Sequence, residues 1–190
     1  MIGNEATTTK PDDPTRRGYT FTGWNTKADG TGTWWYRTNE SVNRFGNTLS
    51  DDTTLYAQWE PNYTDYYVVF WKQKATATGT DPATDYDYAS SVTRTALTGS
   101  QVSLTTADTQ KGNYQGNASG EYGYYFTYNA ENSDNTSVTV NPDGTTQLNV
   151  YYDRKEITIK FTSSNGKFNV TTYAGVVDGQ TVTLTPDGNG

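Results

Sequence analysis

The chain has 190 residues, with 14 basic and 21 acidic side chains and a net charge of −7. It contains no cysteine and no histidine, which excludes disulfides, thiol nucleophiles, Cys- or His-ligated metals, the Ser-His-Asp triad and histidine acid–base catalysis. The positive charge is too sparse to neutralise a phosphate backbone, so no nucleic-acid partner is expected. No run approaches the about 20 apolar residues of a membrane helix, so no membrane insertion is expected either.

Leu, Ile, Val and Phe together number only 27, but 16 Tyr and 5 Trp supply apolar area of another kind. With 36 Thr and 18 Gly, the composition suits half-buried strands and turns. A soluble, acidic, β-rich protein with small aromatic cores is predicted. Met1 to Glu5 has neither the basic start nor the apolar run of a signal peptide. Both chain ends read as cut from something longer.

Elements follow from alternation. Gly18 to Trp24 puts Tyr19 and Phe21 on one face and threonines on the other. An Asp29-Gly30-Thr31-Gly32 turn follows, then Trp34-Trp35-Tyr36. Thr54 to Trp59 is a second strand, with Leu55, Ala57 and Trp59 on one face. Glu60-Pro61-Asn62 reads as an inter-domain joint. Tyr66 to Trp71 is apolar on both faces, which predicts a central strand. Tyr86 to Leu97 is a weaker strand, and Gln101 to Lys111 a short helix or irregular crossover. Gly123 to Tyr128 is another strand. Ser137–Val140 and Gln147–Tyr152 flank Asn141-Pro142-Asp143-Gly144, which predicts a hairpin. Arg154-Lys155-Glu156 is a second joint. A third strand-rich segment runs from Ile157-Thr158-Ile159-Lys160-Phe161 to Thr181–Thr185.

Two segments carry resemblances. Pro14 to Trp24, with its Gly18-Tyr19-Thr20-Phe21-Thr22-Gly23-Trp24, then an Asp-Gly turn, then Leu55-Tyr56-Ala57-Gln58-Trp59, closely resembles the Listeria–Bacteroides repeat, or internalin B-repeat. From about Tyr63 to Arg154, the chain resembles a mucin-binding-protein-like repeat. Tyr67–Trp71, Thr98-Gly99-Ser100, Tyr124–Tyr128 and Leu148–Arg154 carry that likeness. The resemblances imply tandem small β-grasp, ubiquitin-like modules (a β-rich, α+β class) in an elongated array. The modules would be residues 1–60, 62–154 and a partial strand-rich one at 155–190. They also imply an extracellular surface protein of a Gram-positive bacterium. The first family opens with a strand, whereas residues 1–10 carry almost no strand signal. Module one is therefore expected to lack its first strand and to offer an open edge.

Candidate chemistry divides by residue type. Asp81, Asp85 and Asp87 lie close enough in sequence to hold Ca²⁺, but match no EF-hand loop, so a solvated acidic loop is favoured and no cofactor or metal is expected. No carboxylate pair stands out for glycoside hydrolysis, and an enzyme is not expected. Trp34, Trp35 and Tyr36 are candidates for ligand contact. Adjacent strand residues face opposite ways, so one of the two tryptophans is expected to be exposed. Tyr19, Phe21, Trp24, Leu55, Trp59, Phe70, Val150 and Tyr152 are assigned to the cores. Lys72 and Lys160, with Asn149, are candidates for a Lys–Asn isopeptide cross-link, which needs a desolvated amine.

The reading that follows is a non-enzymatic repeat segment of a cell-surface adhesin or stalk, spacing or supporting a binding domain. Expected partners are host glycans or surface proteins and adjacent repeats of the parent chain; Ile157–Phe161 is expected either to form a sheet of its own with Val182–Leu184 or to add, strand-swapped, to the open edge of another copy. The alternative is a carbohydrate-binding module of a secreted polysaccharide-degrading enzyme, which would present an exposed, coplanar aromatic strip.

Overall fold

The computed structural model describes residues 6–49, 51–112, 121–123, 125–160 and 172–177. The fold is β-rich, and its one helix among the described residues spans four residues. Contacts gather into two compact units. The first takes the chain up to Tyr66 together with Thr95–Gln101 and Thr139–Thr146; the second takes Tyr67–Arg94, Val102–Val138 and the chain from Gln147 onward. The Glu60-Pro61-Asn62 segment thus lies inside the first unit.

In the first unit, β1 (Ala6–Thr7) pairs antiparallel with β4 (Thr48–Leu49), so the segment ahead of Pro11 does contribute a two-residue strand. A second, three-stranded antiparallel sheet has β2 (Tyr19–Asn25) at its centre, between β3 (Trp34–Arg37) and β5 (Tyr56–Pro61). Strict alternation would send Phe21 and Trp24 to opposite faces. A register shift between Phe21 and Gly23 inserts one extra residue and returns Trp24 to the face of Phe21. Phe21 lies opposite Trp59, and Trp24 opposite Ala57. Phe21 meets both indoles edge-on, at centroid distances of 5.5 Å to Trp24 and 5.6 Å to Trp59. Phe21 is buried, while Tyr19, Trp24, Leu55 and Trp59 are half-buried around it.

Gly23 makes this arrangement possible. Its φ is +146°, and a Cβ placed there would lie 2.1 Å from the Tyr36 carbonyl oxygen. Only glycine lets β3 approach this closely. Asn25, at the end of β2, is fully buried. Its amide donates to the Gly30 and Gly32 carbonyls at 3.1 and 3.3 Å, and its oxygen accepts the Lys27 N–H at 2.9 Å. The Asp29–Gly32 turn is thereby tied to the sheet from inside.

Two further patches belong to this unit. Asn62 donates its N–H to Gly18 and accepts one from Thr98, at 2.9 Å each. Arg17 donates to the Asp143 carbonyl at 3.2 Å.

A four-stranded sheet is ordered β7-β6-β11-β9. Its strands are β6 (Tyr63–Gln73), β7 (Tyr86–Leu97), β9 (Phe126–Asn129) and β11 (Gln147–Arg154). The two central strands, β6 and β11, are parallel, and β9 pairs antiparallel with β11. Central position explains the apolar character of β6 and β11 on both faces. On one face Val68, Phe70, Leu148, Val150 and Tyr152 are fully buried. Tyr122 packs edge-on against Phe70 and Tyr152 there. On the other face Trp71 stacks on Tyr151 at 6.0 Å, and Tyr86 meets Tyr151 edge-on at 4.8 Å. The loop after β9 covers the edge of β11 beyond that strand: Ser133 accepts the Tyr151 N–H and Asp134 accepts the Asn149 N–H.

The turn at Asn141–Gly144 forms as expected, with Gly144 at φ +75°. The hairpin across it does not. β6 lines one side of β11, and on the other β9 takes Tyr151–Arg154 while the Ser133–Asp134 loop bonds the Asn149 and Tyr151 backbone. β10 (Val138–Thr139) pairs instead with β8 (Gln101–Val102). The crossover contains α1 (Thr106–Thr109), whose Asp108 reaches back to the Thr105 N–H at 2.8 Å. Beyond Arg154, β12 (Glu156–Lys160) pairs antiparallel with β13 (Thr172–Val177) of the same chain. Phe161 and the expected strand at Thr181–Thr185 lie outside the described residues.

Candidate functional site

The aromatic candidates sit on β3. Tyr36 lies opposite Trp24 in the ladder, and Trp34 opposite Asn25, with a register shift between them that accommodates Trp35. The expected exposure of one tryptophan is not found: Trp34 and Trp35 are both half-buried, like Tyr36. The Arg37 guanidinium covers the Trp34 ring at 4.7 Å, and Lys10 sits 4.6 Å from the Tyr36 ring centre. Trp35 meets Phe45 edge-on, at an interplanar angle of 74°. Phe45 also meets the Tyr36 ring, tilted at 50°, so it touches both rings while cations cover Trp34 and Tyr36. The indole N–H groups of Trp24 and Trp35 are buried without an acceptor among the described residues.

The acidic loop uses its carboxylates locally. Asp81 accepts the Ala83 N–H, Asp85 accepts the Asp81 N–H, and Asp87 faces Lys74 at 3.8 Å. No group of three metal-binding side chains gathers among the described residues. Sequence reading missed the most buried carboxylate among the described residues, Asp108. Arg94 grips it with two bonds of 2.7 and 2.9 Å, and the Thr105 hydroxyl donates to it at 2.7 Å. Burial works against its ionisation, but the bonds from Arg94 and Thr105 prevail and hold the carboxyl below its ordinary range. No pattern in the sequence marks this pair, since 14 residues separate its members.

The cross-link candidates are not brought together. Asn149 pairs in register with Val69, and Lys72 with Tyr152. Their side chains therefore point to opposite faces of the sheet. Asn149 accepts the Trp71 indole N–H at 3.0 Å and donates to Asp134 at 3.1 Å. Lys72 turns the other way, with Nζ 3.7 Å from the Tyr122 ring centre and 5.1 Å from that of Phe126. The Lys160 side chain lies outside the described residues.

Around Lys72 the second unit holds a cleft of about 410 Å³. Lys72, Lys74, Phe126, Arg154 and Asp87 contribute to its walls. Gln73 sets its floor: its side-chain oxygen accepts the Arg154 N–H at 2.8 Å, and its backbone carbonyl accepts Arg154 Nε at 3.0 Å. Lys74 is held by a 2.7 Å bond to the Thr84 carbonyl. The Lys72 ammonium lies below its ordinary pKa range. Burial is the main cause; the nearby charges of Arg154 and Lys111 add to it, and that of Glu121 opposes it.

Among the described residues no helix is long and apolar enough to cross a membrane. No curated protein and no solved structure gives a significant match to the chain. Residues 1–58 do match a family model, described as the Listeria-Bacteroides repeat domain. The matched span holds the Phe21–Trp24–Trp59 neighbourhood, apart from Trp59 itself, and the Gly23 bulge that organises it. Over its first 58 residues this chain is therefore similar to the Listeria-Bacteroides repeat domain, a repeat family of extracellular surface proteins.

Proposed function

We propose that the chain is a non-catalytic, load-bearing segment of a repeat-built bacterial surface protein, and that it spaces or supports a binding domain. The observation that carries this reading is the parallel pairing of β6 with β11, at six successive positions from Tyr67–Gln147 to Lys72–Tyr152. The chain enters this sheet at the start of β6 and leaves it at the end of β11. In a parallel pair those two points lie at opposite ends of the ladder. Tension along the chain then shears all the paired positions together, whereas a peeling force would break them in turn. The order β7-β6-β11-β9, with its parallel central pair, also supports a β-grasp reading of this region. The match over residues 1–58 supports the surface location.

Single-molecule pulling tests the proposal directly. The chain has no cysteine, so each one introduced is a unique handle. Handles from Asp65→Cys and Lys155→Cys load the pair in shear. Handles from Asp65→Cys and Thr145→Cys peel it from one end. The expected result is a clearly higher rupture force for the first pair. Equal forces would contradict a load-bearing role for this ladder.

A further inference from the structure

We propose that the cleft at the end of β6 and β11 is a binding site for a small organic oxyanion, a carboxylate or sulfate group carried on a body of monosaccharide size. The argument starts from charge. The chain as a whole is acidic, with a net charge of −7. Yet three cations, Lys72, Lys74 and Arg154, line one cleft. Each is positioned by a different element of the fold. Lys72 projects from the core face of β6 and rests on the Tyr122 and Phe126 rings. Lys74 is tethered to the Thr84 carbonyl, and Arg154 to the Gln73 carbonyl. A ring face orients an ammonium without using up its N–H donors. Among the described residues Lys72 has no hydrogen bond and no ion pair.

A half-buried ammonium with no ion pair of its own is favoured when an anion reaches it. Asp87 does not do this for Lys72. It lies 3.8 Å from Lys74 and its side chain is 74% exposed, at the rim. The depressed proton affinity of Lys72 follows first from burial; Glu121 opposes it, and the charges of Arg154 and Lys111 add to it. Volume sets the size of the ligand. A cleft of about 410 Å³ is far larger than a bare sulfate and falls within the range of small-ligand sites. The geometry therefore fits an oxyanion head among the three cations, with an organic body filling the remaining space.

The test is an NMR titration of the full chain with four probes: inorganic sulfate, glucuronate, glucose 6-sulfate and glucose. The expected result is saturable shifts at the backbone amides of Lys72 to Ala75 and Arg154 with glucuronate, with glucose 6-sulfate or with both. Inorganic sulfate should bind more weakly, and glucose not at all. Comparison of the two charged sugars shows whether carboxylate or sulfate is preferred. Two variants separate binding from folding. Lys72→Met keeps the apolar stem and should weaken binding about tenfold, as loss of a charge-assisted contact does, without lowering the melting temperature. Asp87→Asn removes the rim's negative charge and should tighten binding about threefold. No saturable binding of either charged sugar overturns the proposal, as does binding unchanged by Lys72→Met. Equal binding of glucose overturns it too, by removing the oxyanion from recognition. Tighter binding of an oligoglutamate peptide than of either sugar would reassign the cleft to a protein partner and overturn the small-molecule reading.

Discussion

Asp108 shows how a single side chain can govern stability in this fold. It is 2% exposed and accepts from Arg94 twice and from Thr105 twice. Removing it deletes both bonds from the Arg94 guanidinium and the two bonds from Thr105 in a buried setting. Asp108→Ala should therefore destabilise the second unit by about 3 kcal/mol in chemical denaturation. The pH dependence has a definite sign. The carboxyl is held below its ordinary value of 3.8, so the folded chain keeps it ionised where the unfolded chain protonates it. Its contribution is present above pH 3.8 and is lost as pH falls through the folded value. The stability gap between the native chain and Asp108→Asn should accordingly be constant near neutrality and shrink below that pH. A gap unchanged down to acid unfolding would show that ionisation of Asp108 contributes nothing.

At the level of elements, β2 shows why a strand is more than an alternating pattern. Tyr19 and Phe21 follow the alternation, and Trp24 breaks it through the register shift after Phe21. The same bulge puts Gly23 where a Cβ would overlap the Tyr36 carbonyl at 2.1 Å. Gly23→Ala must either strain a positive-φ backbone or push β3 away from β2. A loss of about 2 kcal/mol or more is expected, with the Trp24 indole moving off Phe21. Equilibrium denaturation followed by Trp fluorescence checks both effects, and a loss below about 0.5 kcal/mol would contradict the close approach. The neighbouring β3 is irregular for a related reason. The second register shift, between Trp24 and Asn25, lets Trp35 pack against Phe45 while Trp34 carries Arg37 on its ring. Two adjacent tryptophans are thereby both kept half-buried.

At the scale of the whole molecule, contacts gather into two units, each built from several segments of the chain. The first unit includes Thr95–Gln101 and Thr139–Thr146 as well as the chain up to Tyr66. Asn62 bonds to both Gly18 and Thr98, and Gly18 sits so close to Pro142 that an added Cβ would lie 2.6 Å from its side chain. A fragment of residues 1–61 loses these supports. It should melt at a lower temperature than the same residues do in the full chain, as followed by exchange of the β2 and β5 amides. Equal protection in fragment and full chain would show that the first module is self-sufficient.

Much of the architecture was legible in local chemistry. Alternation placed β2 and β5, because a half-buried strand distributes its apolar residues with period two, and a run apolar on both faces marked β6 as central. Asp-Gly and Asn-Pro-Asp-Gly located turns, because those positions need the backbone that glycine adopts. The Gly18–Trp24 and Leu55–Trp59 motifs carried the family likeness. The rest depended on partners far apart in the chain. Nothing near Ser137–Val140 says that the central strand β11 will already be occupied on both sides, so the turn was readable and the pairing was not. The faces of Lys72 and Asn149 follow from the β6–β11 register, which a sequence does not state. The Asp108–Arg94 pair and the Lys72–Lys74–Arg154 cleft likewise exist only once the sheet is closed. Local sequence determines the period and the turns; strand order, register and charge clustering are decided by long-range packing, where the energetic preference belongs to the assembled sheet and to no single segment.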